Sequence, residues 1–346
     1  MKKHILAVVL VTIVLFNPGC KKSPTEAIDN TQPGRRDYVW TVDTLKIPYT
    51  VLTRMWGSSP TDLWAIGPGG DLNKTIFHFD GTSWKNDGKS RPISPTSIWG
   101  SSANNIWIGG REGKIWNYTN GSWGEAFTYS ISGFPSLGLE CIWGDSPDNV
   151  YAVGYADSLG IRYKGVILHF NGSSWRVMET EEIKNGFISI TRAPATSSNY
   201  FIKGIRMDPA TADTVMIYEF DGTNLKRIQT KSISEDRYPK IVNAGGKLLF
   251  VIDRTIYSYT NQQFKSVYNI GYWNFVDILA GRSEKDLFLS MNDGIAHYNG
   301  TDVEYIYRFT SNISITCWYI FEKDIVFIAY DFVKDVHLIY RGKLKN

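Results

Sequence analysis

Three cysteines, five histidines and a formal net charge of +3 in 346 residues leave several protein classes without material. No Cys-x-x-Cys pair is present to start a zinc ribbon or a thioredoxin-like redox centre. His-Glu-x-x-His, Gly-x-Ser-x-Gly and Gly-x-x-x-x-Gly-Lys are missing too, which removes the signatures of metalloproteases, α/β-hydrolases and P-loop enzymes. With 37 Lys and Arg against 34 Asp and Glu, the chain lacks the cationic excess of a nucleic-acid binder, so no nucleic-acid partner is expected. The chain is nonetheless too apolar, at 43% hydrophobic residues, for intrinsic disorder. What it has in plenty is 31 Gly, 20 Tyr, 17 Phe and 12 Trp, the residues of strands and tight turns, and this favours an all-β fold.

Lys2 and Lys3 precede an apolar run from Ile5 to Phe16, shorter than the roughly 20 residues a membrane span needs. A basic start, a short apolar core and a small-residue end describe a signal peptide. The ending Asn17-Pro18-Gly19-Cys20 resembles the lipobox of bacterial lipoproteins, with Asn17 where that pattern has an aliphatic residue. The resemblance implies a signal peptide over 1–19, acylation of Cys20 as the new N-terminus, and attachment to a membrane surface in the bacterial cell envelope, with the outer membrane the expected address. Ordinary secretion is the other reading. From Lys21 to Arg36 the chain is polar with Pro and Gly, the composition of a flexible tether, expected over 20–36.

Beyond it the sequence repeats. Met55-Trp56-Gly57-Ser58-Ser59-Pro60-Thr61-Asp62-Leu63-Trp64-Ala65-Ile66-Gly67 returns at Ile98 to Gly109 and at Ile142 to Gly154, and Phe77-His78-Phe79-Asp80-Gly81-Thr82-Ser83-Trp84 returns at Trp116 to Trp123 and Leu168 to Trp175. Polar marks at Asp62, Asn105, Asn149, Asn199, Lys247, Asp286 and Asp324 extend the pattern, more weakly, to seven copies. Each copy holds four short β-like runs, in the first copy Val51 to Gly57, Leu63 to Gly67, Thr75 to Phe79 and Ser83 to Asn86. Asp-Gly or Asn-Gly between the third and fourth runs predicts a type I′ hairpin. Four antiparallel strands per unit, seven times over, predict a seven-bladed β-propeller filling 37–346 as one domain, about 44 residues per blade. The last unit ends just after Arg341-Gly342, read as its turn, and lacks a fourth strand. Residues 37–48, with Trp40 standing where Trp84, Trp123 and Trp175 stand, are expected to supply that strand and close the ring.

The repeat governs how single residues are read. Trp56, Trp64, Trp84, Trp99, Trp107, Trp123, Trp143, Trp175 and Trp318 are expected between blades as core. His78, His169 and His297 share one repeat position but lie in different blades, too far apart to converge on a metal. Cys141 and Cys317 fall in the innermost strands of blades three and seven, too distant for a disulfide, and are expected as free thiols. No metal or cofactor is implied. Function is expected at the irregular loops between second and third strands, Pro68 to Lys74, Tyr155 to Lys164 and Ile205 to Asp213, and at the insertion Gly124 to Leu139. Arg111, Tyr155, Arg162, Arg206 and Arg254 are the candidate ligand-binding residues there, because guanidinium groups suit carboxylates, phosphates and sugar hydroxyls.

The Trp-Gly-Ser-Ser-Pro pattern resembles propeller repeats of secreted bacterial proteins, a group near the Kelch and BNR-type propellers. Asp80-Gly81-Thr82-Ser83-Trp84 bears a faint likeness to the Asp-box of sialidase-like propellers, but its Asp and Gly are adjacent. The resemblance implies fold and envelope location and carries over no catalytic residue. The expectation is a monomeric, membrane-anchored module that binds a protein or glycan ligand at the loop rim. A carbohydrate-active enzyme, hydrolase or lyase, with its site at the channel mouth is the alternative.

Overall fold

The computed structural model describes residues 34–345 apart from 48, 161, 180–184, 194–196, 207–213, 233–238, 273 and 311. The signal peptide, Cys20 and most of the tether lie outside the described residues, as does most of the loop Ile205 to Asp213.

Among the described residues every regular element is a β-strand. Blade one comprises β2 (Arg54–Ser59), β3 (Asp62–Ile66), β4 (Ile76–Phe79) and β5 (Trp84–Lys85). Blade two comprises β6 (Pro95–Ser102), β7 (Asn105–Gly110), β8 (Lys114–Thr119) and β9 (Ser122–Thr128). Blade three is β10 (Ser136–Ser146), β11 (Asn149–Asp157), β12 (Tyr163–Phe170) and β13 (Trp175–Val177), and blade four is β14 (Asn185–Thr191), β15 (Tyr200–Arg206), β16 (Thr214–Phe220) and β17 (Leu225–Ser232). Blade five holds β18 (Lys240–Ala244), β19 (Lys247–Ile252), β20 (Thr255–Thr260) and β21 (Gln263–Asn269), and blade six β22 (Phe275–Ser283), β23 (Asp286–Met291), β24 (Gly294–Tyr298) and β25 (Val303–Arg308). The seventh unit is β26 (Ile313–Ile320), β27 (Asp324–Asp331) and β28 (Val336–Leu344), completed by β1 (Tyr38–Leu45). Within each unit the strands pair antiparallel in chain order, and a single parallel bridge, Ala244 to Gly281, joins blades five and six into one sheet. First strands neighbour one another around a closed ring, except at blades four and five, which meet through β15 and β18. This is a β-propeller.

Closure is as the sequence predicts: β1 pairs antiparallel with β28 from Tyr38 opposite Leu344 to Leu45 opposite His337. Trp40 stands opposite Gly342, in the register of Trp84 opposite Phe79 and Trp123 opposite Tyr118. Gly342 is not in a turn, however. β28 runs straight through it, and a side chain there would meet the Trp40 ring at 2.8 Å. The last blade thus lays one indole on a bare backbone where blades one, two, three and five pair two rings.

Two further details differ from expectation. Positive φ at both central residues, the mark of a type I′ turn, occurs at Asn120-Gly121 and at Asn261-Gln262. At Asp80-Gly81, Asn171-Gly172, Asp221-Gly222 and Asn299-Gly300 only the glycine is positive. There the acid or amide oxygen accepts two backbone amides, as Asp80 Oδ1 does from Thr82 and Ser83 at 2.9 Å each. The side chain organises these turns by its oxygen rather than by its backbone. The insertion between blades two and three is also shorter than read, since β9 and β10 extend into it and leave only Tyr129 to Pro135 as connection.

The repeated Trp-Gly has a packing cause. A Cβ on Gly100 would stand 2.6 Å from the Trp56 ring and one on Gly144 2.8 Å from that of Trp99. Each indole therefore lies on the glycine of the next blade, a contact only a bare backbone allows. Trp56, Trp64, Trp107 and Trp175 are buried, and Trp84, Trp99, Trp123, Trp143 and Trp318 half-buried. Further out, Trp64 packs on Tyr118 and Trp123 of blade two at 4.8 and 5.4 Å, and Trp107 on Phe170 and Trp175 of blade three at 5.0 and 5.4 Å.

The shared histidine position is a blade lock. His78 Nε2 lies 2.6 Å from Asp62 Oδ1, His169 Nε2 2.7 Å from Asn149 Oδ1 and His297 Nε2 2.6 Å from Asp286 Oδ1, each tying the third strand to the polar mark that opens the second. Among the described residues no cluster of His, Cys, Asp and Glu could hold a metal ion. Cys141 and Cys317 stand in β10 and β26, the first strands of blades three and seven, as free thiols. Burial pushes the Cys317 thiol up to about 12.

Candidate functional site

The ring has two unlike faces. Turns between first and second strands touch those between third and fourth: a Cβ on Gly81 would lie 3.1 Å from Thr61, and one on Gly172 2.8 Å from Asp148. The chain enters on this turn face, where Gly34 N donates to Lys285 O and Arg36 pairs with Asp302 and Glu304. The connections between second and third strands, and those between blades, open on the opposite face, the rim.

At the rim of blades two and three, Arg111, Glu112, Tyr155 and the segment Pro135 to Gly138, which leads into β10, line an open cleft of about 410 Å³. Arg111 heads the two-residue turn between β7 and β8, whose Glu112 and Gly113 have φ of 61 and 69°. Gly113 is obligatory here, since a Cβ would sit 2.1 Å from the Tyr129 carbonyl. The connection between blades two and three is latched to this turn, Tyr129 N donating to Gly113 O and Gly113 N to Leu137 O. The Arg111 side chain is exposed and makes no ion pair among the described residues.

Tyr155 is not in a loop. It lies in β11, opposite Gly138 of β10 and Gly165 of β12, so sheet pairing on both sides fixes it. A side chain at Gly138 would stand 3.2 Å from Glu140 Oε1 and 3.3 Å from the Tyr155 ring, so the glycine leaves a notch between an acid and a phenol. Burial, then the Glu140 carboxylate, raises the Tyr155 pKa, with Arg111 opposing. The phenol stays protonated at neutral pH and offers a hydrogen-bond donor beside the guanidinium. Arg162 stacks over Phe134 at 5.1 Å, which ties the loop after β11 to the insertion.

Of the five sequence candidates, then, Arg111 and Tyr155 share one cleft and Arg162 braces the loop beside it. Arg206 ends β15 in blade four, and Arg254 stands in the turn between β19 and β20 of blade five, where its carbonyl accepts Ile270 N; neither lines the cleft. Glu140 was missed. Its signal was positional, three residues before the Trp143-Gly144 pair on the strand facing the rim.

The axis carries a second group of charges. Arg54 of β2 is electrostatically coupled to Cys141, Cys317 and Lys240, from blades three, seven and five, which places it at the centre of the ring. Lys240 pairs with Asp277 and lies 5.7 Å from the Trp318 ring. Lys203, in β15 at the seam of blades four and five, is lowered to about 8 by burial.

No protein-family model matches the chain, and no curated protein matches it. Many solved structures do. The structure of YCF48 bound to D1 peptide superposes with a TM-score of 0.62 at 13% identity, covering 91% of this chain and 100% of that one. Virginiamycin B lyase from Staphylococcus aureus, with quinupristin, gives 0.59 at 14% identity over 89% of this chain and 100% of that one. An oligogalacturonate lyase in complex with manganese gives 0.58 at 11% identity, over 91% and 99%. At these identities the likeness is one of fold alone.

Proposed function

We propose that this protein is a binding module of the bacterial cell envelope, held at a membrane surface through acylated Cys20, whose rim cleft between blades two and three receives a carboxylate presented by a protein or glycan ligand. The observation that carries the reading is the convergence of Arg111, a cation with no ion pair among the described residues, and the protonated Tyr155 on one cleft. An Arg and a phenol together give an anion charge-assisted hydrogen bonds. The similar folds support a binding use, one of them having been solved with a peptide. The chain enters on the turn face, so a membrane tether there turns the rim away from the bilayer, toward arriving partners.

The test is an array of peptides with free or amidated C-termini beside acidic and neutral glycans. Arg111→Ala should weaken binding of the retained acidic ligand at least about tenfold, the worth of one charge-assisted bond. Equal retention of acidic and neutral ligands, or no effect of Arg111→Ala, counts against the reading. Membrane fractionation beside Cys20→Ser tests the anchor, and equal partitioning of the two proteins removes it.

The convergence of Tyr155 and Glu140 with Arg111 also favours a second reading, a carbohydrate-active enzyme. Turnover of any uronide or glycoside by the wild type, lost in Tyr155→Phe, would establish it over the first.

A further inference from the structure

On the outer flank between blades one and two, reaching from the Gly121-Ser122 turn to the connection between the two blades, lies a second cleft of about 420 Å³. Its origin is a missing piece of sheet. In blade two, β9 runs on past Trp123 to Phe127, whose ring stacks on Trp175 at 6.5 Å and fills the outer seam with blade three. In blade one, β5 stops at Lys85, and the residue four past its tryptophan is Gly88, with φ of 67° and nothing within 4 Å of a built Cβ. The seam between blades one and two is left open where its neighbour is plugged.

The exposed wall is aromatic. Trp116, Tyr118 and Trp123 of blade two are half-buried along it, and His78, held by Asp62 and stacked on Trp64 at 4.2 Å, faces them from blade one. Trp116 is not a repeat tryptophan. Opposite the residue three past the polar mark of its blade, it replaces Phe77 of blade one and Leu168 of blade three, both buried in their seams. A larger ring thus stands where the seam is open.

The rim of this cleft is polar and cationic. Of its three cations, Lys85, Lys89 and Arg91, two are matched by carboxylates, which leaves one positive charge in excess. Arg91, 6% exposed, is clamped to Asp87 through both guanidinium nitrogens and is thereby rigid and matched. Lys85 is drawn to Asp80 at 2.7 Å outside the cleft. Lys89 makes no ion pair among the described residues. Asn86, Ser90 and Ser122 complete the lining with groups that donate and accept.

We infer that this flank cleft is a subsite for an acidic saccharide, a uronic-acid unit whose ring lies on Trp116 and Trp123 while its carboxylate meets Lys89. Aromatic faces take the apolar side of a ring, amide and hydroxyl side chains take its edge, and the excess charge selects an acid over a neutral sugar. The volume lies within the roughly 300 to 1,000 Å³ of small-ligand sites, room for one or two rings. The site is separate from the rim cleft and stands whether or not the rim reading does.

The test titrates the full chain in detergent with glucuronate- and galacturonate-containing disaccharides, their neutral hexose counterparts and an acidic hexapeptide, read by calorimetry and tryptophan fluorescence. Expected is saturable binding of an acidic disaccharide at least tenfold tighter than its neutral counterpart, with fluorescence change. Lys89→Glu should weaken it at least tenfold, and Trp116→Leu, the residue blade three uses, should abolish it with the melting temperature kept. Arg111→Ala at the rim should leave it intact. Binding lost in Arg111→Ala but kept in Trp116→Leu moves the ligand to the rim and overturns this proposal while sparing the rim reading. Equal affinity for neutral sugars, tighter binding of the peptide, or no binding by wild type at about 10 mM ligand overturns it as well.

Discussion

The seam between blades two and three and the seam between blades one and two start from the same parts. Trp107 and Trp64 occupy one register position, meet the next blade at nearly the same ring distances and lie on the same kind of tryptophan. They part company at the outer edge, where a seven-residue β9 carries Phe127 into the first seam and a two-residue β5 leaves the second open. Inner packing of a propeller can therefore be held constant while the outer strand decides whether a seam is core or cleft. The repeat builds the ring, and departures from it build the sites.

The largest expected effect lies in the closed seam. Trp107→Ala should cost about 3 to 5 kcal/mol, as for large aromatics removed from cores, and Trp64→Ala distinctly less because its surroundings already open on a cleft. Urea denaturation measures both, and equal losses would erase the distinction between the seams.

Gly144→Ala follows, at about 1 to 3 kcal/mol, because the added methyl meets the Trp99 ring at 2.8 Å. A cost near zero would mean that the inner parts yield easily, and that the two seams are not held to a common geometry.

A third seam sharpens the contrast by charge. Between blades four and five the core is small, Phe201, Ile217 and Phe250, with Lys203 buried nearby. Its folded value of about 8 lies below the roughly 10.4 of an unfolded lysine. The unfolded chain thus holds the proton more tightly, and stability should rise with pH between about 8 and 10.4, by at most about 1.4 kcal/mol per unit. Below that window the cost of the buried charge is full and constant. Lys203→Met should lessen the slope, what remains belonging to Lys240, which burial lowers to about 7, and should be the more stable protein at pH 7; parallel pH profiles for the two proteins would show that the seam hydrates its lysine freely.

Smallest of all should be Trp116→Leu, within about 1 kcal/mol of wild type, since half the ring faces the cleft rather than the core. A loss as large as that of Trp107→Ala would make the cleft wall part of the core after all.

The ring was legible because its causes are local and repeated. Asp62 and its counterparts mark second strands, Trp-Gly records an indole lying on a neighbour's backbone, and Trp40 could be placed in the last blade by register alone. What escaped was set by single departures. Asp80 and Asn171 look like type I′ turn formers, yet they work by accepting two amides, a choice that depends on loop length and not on the dipeptide. Gly342 resembled a turn glycine because the repeat puts one near there, but β1 fills the fourth-strand place, and pairing with it holds β28 extended through Gly342. The rim was half legible. Arg111 and Tyr155 were found as rim residues, while their meeting depends on Gly138, whose missing side chain no pattern announces. Trp116 was hidden for the opposite reason, since a tryptophan in a chain with 12 of them draws no notice until its neighbours' Phe77 and Leu168 are seen at the same place.

The closing strand has a kinetic consequence. Arg35 donates to the carbonyl of Lys345, 310 positions away in sequence, so the first strand made is the last to find its partner. Until β28 exists, β1 is an unpaired edge, and contacts of such sequence separation form late. A nascent chain must therefore keep this strand idle while six blades assemble. At high local concentration that idle strand can find the β28 of another copy, so crowding during folding, rather than any weakness of the finished ring, is where this protein is most exposed to swapping and aggregation.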